Sequence, residues 1–228
     1  VRLPLSSASS RVSRQSLAAL TVLAGATITQ AAIIGAQFGQ AQWDGSDPTI
    51  VVSAVPTGTV NSRGVSSRTI EQTFTVGVTG FTLDKIWAYL TSTTSGQGYE
   101  IRLFSVADPD AASISAGTNL FPSAQTGTVS ATTSNGYAIF DVANVPLAAN
   151  TSYAIQFLRQ GTDNPFNLGR YQNNLLGTSG AYYENLAITN SGANGLRFAV
   201  QSVIPEPGTL ALAALGGLLA LPRRRVMA

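Results

Sequence analysis

The chain has 228 residues, 44% of them hydrophobic and 11% charged, with no cysteine and no histidine. That inventory excludes disulfide stabilisation, Ser-His-Asp and Cys-His nucleophilic machinery, His-ligated zinc and thiolate metal sites. The formal charge of +2 misleads about partners, because six of the 13 basic residues cluster at the ends. Between residues 42 and 205 seven basic residues face ten acidic ones, a balance of minus three. A mildly acidic domain has no basic stripe with which to displace counterions from a polyanion, so nucleic acid is not an expected partner.

At the N-terminal end, Arg2, Arg11 and Arg14 precede the apolar run Leu17 to Ile28. A basic segment followed by an apolar one of this length reads as a secretory signal helix. Small residues allow cleavage after Ala31 or after Ala41, and Ala41 is preferred because it removes the apolar AAIIGAQF stretch as well. The chain then divides into a leader (1–41), a domain (42–203) and a C-terminal segment (204–228).

The middle reads as strands: Thr49 to Val55, Thr69 to Val76, Phe81 to Thr91, Tyr99 to Val106, Gly127 to Ala131, Tyr137 to Ala143, Ser152 to Arg159, Ala181 to Thr189 and Gly195 to Val203. Period-two alternation is clearest at Ile70, Phe74 and Val76, at Tyr153, Ile155 and Phe157, and at Leu196, Phe198 and Val200. Gly-, Asn- and Pro-containing turns separate these runs, and no stretch has a helical period. The spacing predicts an all-β, antiparallel β-sandwich, jelly-roll-like, flanked by the N-terminal signal helix and a short C-terminal transmembrane helix. Residues 42 to 68 supply a first strand or an N-terminal arm. Trp87, mid-strand beside Ile86, is expected in the core, and Trp43, in a polar stretch, at the surface.

Carboxylates are the one acid–base chemistry left, and two sets stand near prolines: Asp44 with Asp47, and Asp108 with Asp110. Both read more simply as turn-setting residues than as a catalytic pair or a calcium site. No cofactor and no metal site is expected. The segment Phe166 to Asn185 concentrates aromatic and amide side chains, and Arg170, Tyr171, Asn173, Asn174, Tyr182 and Tyr183 form a candidate carbohydrate site. Ring faces stack on pyranoses while amides and guanidinium groups bond the hydroxyls. The competing reading places Tyr182 and Tyr183 on opposite faces of one strand, one inside and one at the surface.

The C-terminal segment carries three parts in order: Pro205-Glu206-Pro207, the uncharged apolar run 208–221, and Arg223-Arg224-Arg225. The prolines stop a preceding strand, and the arginines, which cannot be deprotonated, stay on the cytoplasmic side of a membrane. As a helix the apolar run reaches about 21 Å against roughly 30 Å of hydrocarbon, which suits a transient span. This tail resembles a PEP-CTERM sorting signal. The resemblance implies processing by an exosortase-type membrane enzyme of exopolysaccharide-producing Gram-negative bacteria, with transient inner-membrane anchoring before release to the cell surface or matrix. Separately, the strand–turn–strand patterns Thr69 to Leu90 and Tyr137 to Phe157 loosely resemble galactose-binding-like sandwiches of bacterial surface proteins, which bears on fold alone. The expected role is structural or adhesive and non-enzymatic. The alternatives are a module that binds exopolysaccharide and a carboxylate-based polysaccharide hydrolase.

Overall fold

The computed structural model describes residues 32–33, 35–40, 47–55, 60–66, 68–172, 176, 179–189 and 194–203. The apolar segment 17–28, both expected cleavage positions, Trp43, Asp44, Asn173, Asn174 and the whole tail from Pro205 to Arg225 lie outside them. Fifteen strands are present among the described residues. They are β1 (Ala32–Ile33), β2 (Gly35–Gln40), β3 (Ile50–Ala54), β4 (Val60–Gly64), β5 (Ile70–Thr75), β6 (Phe81–Thr93), β7 (Gly98–Val106) and β8 (Gln125–Thr128). After them come β9 (Ser134–Leu147), β10 (Ser152–Gln160), β11 (Phe166–Tyr171), β12 (Tyr182–Glu184), β13 (Ala187–Ile188), β14 (Gly195–Leu196) and β15 (Phe198–Ser202).

The strands form two sheets. Sheet I runs β1-β8-β7-β10-β5-β12-β13. Sheet II centres on the long strand β6, which pairs with β9 on one side and with β15 and β11 on the other; β3, β14, β4 and β2 complete it. Every pairing is antiparallel except that of β1 with β8. The two inner faces close on one core, so the molecule is an all-β sandwich, as expected. Ring contacts cross the gap repeatedly: Phe140 of sheet II lies 5.8 Å from Phe157 and 5.5 Å from Tyr99 of sheet I, and Phe74 lies 6.3 Å from Phe198. Each such ring, removed from water, contributes roughly 1.5–3 kcal/mol. Gly127 is required where it stands, because the ring of its cross-strand neighbour Tyr99 occupies the space a Cβ would take.

Buried amides tie the sheets together as well. Gln72 on β5 accepts from Leu196 N at 2.9 Å and donates to Ala181 O, and Gln125 on β8 accepts from Ala143 N at 2.8 Å. A buried amide with its oxygen and nitrogen both engaged avoids the desolvation cost of an orphaned polar group.

Three features depart from the sequence reading. First, β2 lies upstream of residue 42. It pairs with β9, and Phe38 packs 6.2 Å from Phe140 and 6.4 Å from Tyr99, so residues expected to leave with the leader fill part of the core. Second, the strand expected over Tyr137 to Ala143 does not stop there but continues as β9 through Val145-Pro146-Leu147 against β6. Pro146 is tolerated there because β2 reaches only Tyr137 to Asp141, leaving this stretch of β9 an edge. Third, Trp87 points away from the core. The register between β6 and β9 shifts between Leu83 and Lys85, which reverses the inward parity: Leu83, Ile86, Ala88 and Leu90 face inward, and Trp87 and Tyr89 outward.

Candidate functional site

The aromatic residues of the segment chosen from sequence as a carbohydrate site are drawn into the interior. Its first part is strand β11, with Phe166 and Leu168 in the core, and its last part is the β12–β13 hairpin. Tyr182 and Tyr183 are each 0% exposed and Tyr171 is 4% exposed, so their ring faces are covered by protein and closed to a sugar. The expectation that one of the tandem tyrosines lies at the surface also fails. Tyr182 enters the core between the sheets, while Tyr183 takes the outer face of sheet I, which is itself covered. The segment between β7 and β8 crosses that face: Ile114 packs with Phe104, Ala154 and Tyr183, and the Tyr183 hydroxyl donates toward Pro109 O and Ala111 O at 3.0 and 2.9 Å. Ile114 N donates to Leu186 O and Ile188 N to Ala112 O, which pins this segment to the hairpin.

Arg170 belongs to a charged cluster at the end of the sandwich. Glu184 on β12 receives Arg63 Nε of β4 at 3.2 Å, Arg170 Nη1 of β11 at 3.8 Å and Arg68 Nη1, while the Tyr182 hydroxyl donates to its Oε1 at 2.9 Å. Its side chain is 17% exposed. Desolvation alone would raise its pKa, but the Tyr182 hydrogen bond and the Arg68 and Arg63 guanidinium groups outweigh burial and hold the carboxyl below its ordinary range. Glu71 on β5 behaves in the opposite way. Burial pushes its pKa up, and the hydrogen bonds it accepts from Gln156 Nε2 at 2.9 Å and Leu186 N at 3.1 Å do not compensate. Two carboxylates with separated proton affinities invite an acid–base reading. Glu71, however, is 0% exposed and both its oxygens are occupied, so a substrate has no approach to it.

Asp47 and Asp108, one from each aspartate set, act in turns. Asp47 Oδ1 accepts from Thr49 N and Oγ1 at 2.9 and 2.6 Å, and Asp108 Oδ1 accepts from Asp110 N at 3.2 Å. Among the described residues no group of three or more His, Cys, Asp or Glu side chains converges as a metal site, and no helix is long and apolar enough to cross a membrane.

The accessible aromatic chemistry lies elsewhere. On the outer face of sheet II, Trp87 and Tyr89 of β6 stand half-buried beside Tyr137 of β9 and Tyr171 of β11. Tyr89 meets Tyr137 edge-on at 5.4 Å, and Trp87 meets Tyr137 at 6.4 Å. The Arg197 guanidinium lies over Tyr171 at 4.7 Å and over Tyr89 at 5.1 Å. Trp87 Nε1 donates to Gln201 Oε1 at 2.9 Å, which fixes the indole. Burial pushes the Tyr137 hydroxyl up to about 12, against the opposing charge of Arg197, so it stays neutral.

No family model matches the chain, and a search of curated proteins finds no match. The functional reading therefore rests on these side chains and on the terminal motifs.

The sequence reading puts Trp87 in the core and does not single out Tyr89, because their inward or outward parity depends on the bulge between Leu83 and Lys85. It overlooked Arg63 and Arg68 because a Gly- and Ser-rich stretch carries no alternation. A usable signal existed for the latter, since two of the domain's seven basic residues fall within six positions of each other.

Proposed function

We propose that this chain is an exported, non-enzymatic protein of the cell surface or extracellular matrix with a structural or adhesive role. A signal helix sends it out, and a short transmembrane helix within 204–228 holds it in the inner membrane. An exosortase-type enzyme then acts near Pro205-Glu206-Pro207, with Arg223 to Arg225 as the cytoplasmic stop. The observation that carries this reading is the sequence of the tail, Pro-Glu-Pro, apolar run and triple arginine in that order, which begins three residues after the last strand, β15, ends at Ser202. A jelly-roll-like winding is favoured by the chain's repeated crossings between sheets, as in β5 to β6, β9 to β10 and β10 to β11. The non-enzymatic part draws support from the lack of His and Cys and from the full engagement of Glu71.

Replacing Pro205, Glu206 and Pro207 together with alanine tests the route. The protein should accumulate unprocessed in the inner membrane, and normal release of the triple variant would end the proposal.

A second reading, an exopolysaccharide-binding module, is favoured by one observation: the half-buried Trp87 and Tyr89 rings on the sheet II face, with Gln201 and Arg197 beside them. Aromatic rings stacked on a sugar ring with amide and guanidinium donors at the margin make a carbohydrate platform. Trp87→Ala should abolish retention on the producing organism's polysaccharide while leaving the melting transition cooperative.

A further inference from the structure

At the end of sheet I where β10 and β5 part, a cavity of about 200 Å³ is lined by Ser66, Arg68, Thr69, Leu158, Arg159 and Asn185. The last residues that pair these two strands are Phe157 and Ile70; Leu158 and Arg159 continue β10 against β7, while Ser66, Arg68 and Thr69 precede β5. Two arginines and no carboxylate line this space. Each is held by a group outside the lining: Glu184 takes Arg68 Nη1, and Thr162 O takes Arg159 Nη1. Asn185 is oriented too. Its Oδ1 accepts from Thr69 N at 2.9 Å and its backbone N donates to Thr69 O, so the amide NH2 is the end left to offer. Asn185 adopts φ 52°, the left-handed conformation that places this side chain at the hairpin tip. Arginines, an amide NH2 and hydroxyls make a donor-rich rim, and the Leu158 side chain supplies an apolar wall.

We propose that this cavity binds the carboxylate of an acidic saccharide, a uronic-acid unit, with the carboxylate held by Arg68 and Arg159 and the sugar ring against Leu158. Arg is suited to this role because its planar fork matches a carboxylate with two parallel hydrogen bonds. The site lies apart from the Trp87–Tyr89 face, on the other sheet. A single unit binds weakly, since Arg68 is 37% exposed and Arg159 is exposed. A polymer with a carboxylate on every sugar multiplies that contact across many copies of the protein in a matrix. The proposal rests on the surface or matrix location given above.

The test is calorimetric titration of the full domain with trigalacturonate, with a neutral cello-oligosaccharide and with inorganic phosphate. Wild-type protein should bind trigalacturonate in a salt-sensitive manner, and Arg159→Ala should weaken binding about tenfold. Arg159 is exposed and outside the Glu184 cluster, so this variant should melt as wild type does. Arg159→Lys should recover only part of the affinity. Equal binding of phosphate and trigalacturonate, equal binding of the neutral oligomer, or unchanged affinity in Arg159→Ala would each overturn the site. Loss of trigalacturonate binding in Trp87→Ala and not in Arg159→Ala would move the ligand to the aromatic face, overturning this site while leaving the surface reading intact.

Discussion

Glu184 on the last part of sheet I and Arg63 on β4 of sheet II meet at 3.2 Å, so one carboxylate joins the two layers at their open end. Arg170 reaches the same carboxylate from β11, and Tyr182 and Arg68 complete its coordination. A partly buried carboxylate surrounded in this way stabilises the fold more than an exposed pair does, because removing it strands the guanidinium groups.

Glu184→Gln should therefore destabilise the domain by about 2–3 kcal/mol, the scale of hydrogen bonds to charged groups. The same residue sets a pH dependence. Its folded pKa is depressed, so its stabilisation is present above the ordinary carboxyl value of 4.5 and is lost as pH falls through the lower folded value. Thermal melts at a series of acidic pH values should show wild type and Glu184→Gln converging as pH falls; a constant gap between them would contradict this role.

Glu71 works with the opposite sign. Its folded pKa is raised by burial, so the stability tied to its protonated form is complete below 4.5 and declines as pH rises through the folded value. Relative to Glu71→Gln, wild type should lose ground as pH rises above 4.5. The quantity to follow is the change in the difference between the two unfolding free energies, whatever the size of that difference at one pH.

Strand β2 gives a prediction about maturation. With Phe38 packed against Phe140 and Tyr99, a cut after Ala31 keeps the strand and a cut after Ala41 removes it. A protein starting at Gln42 should unfold at lower denaturant than one starting at Ala32, and N-terminal sequencing of the exported form should begin at Ala32. Equal stability of the two forms would show that β2 adds nothing to the sandwich.

Phe140 is the hub of the aromatic core, with Phe38, Tyr99, Phe157 and Phe166 around it at 5.5 to 6.2 Å. Phe140→Ala should cost about 3–5 kcal/mol in chemical denaturation. Ala148, exposed in the β9–β10 turn, serves as a control position whose replacement by Ser should change stability by no more than about 0.5 kcal/mol.

The strands with alternating apolar residues were legible from sequence: β5, β6, β7, β10 and β15 fall within a few residues of their expected limits. The pattern works there because each has one face on the core. β4 was missed because Val60–Gly64 is an edge strand whose side chains meet solvent or the Glu184 cluster, so no hydrophobic period marks it. β11 is absent from the expected strands because Asn167 and Arg170 interrupt its apolar residues; a register shift between Asn167 and Leu168 breaks the alternation as well. Tyr183 misled for a different reason. One sheet gives one buried and one wet face only when nothing covers the second, and here the segment carrying Ile114 does. The true outer aromatics, Trp87 and Tyr89, depended on a bulge, which shifts parity without leaving a residue signature.

The central claim, export with removal of the C-terminal segment, is tested most directly by the intact mass of the protein recovered from the medium or cell surface. The account predicts a mass lacking the apolar run and Arg223 to Arg225, with a new C-terminus near Pro205 to Pro207. A released protein that still carries all three arginines would contradict it.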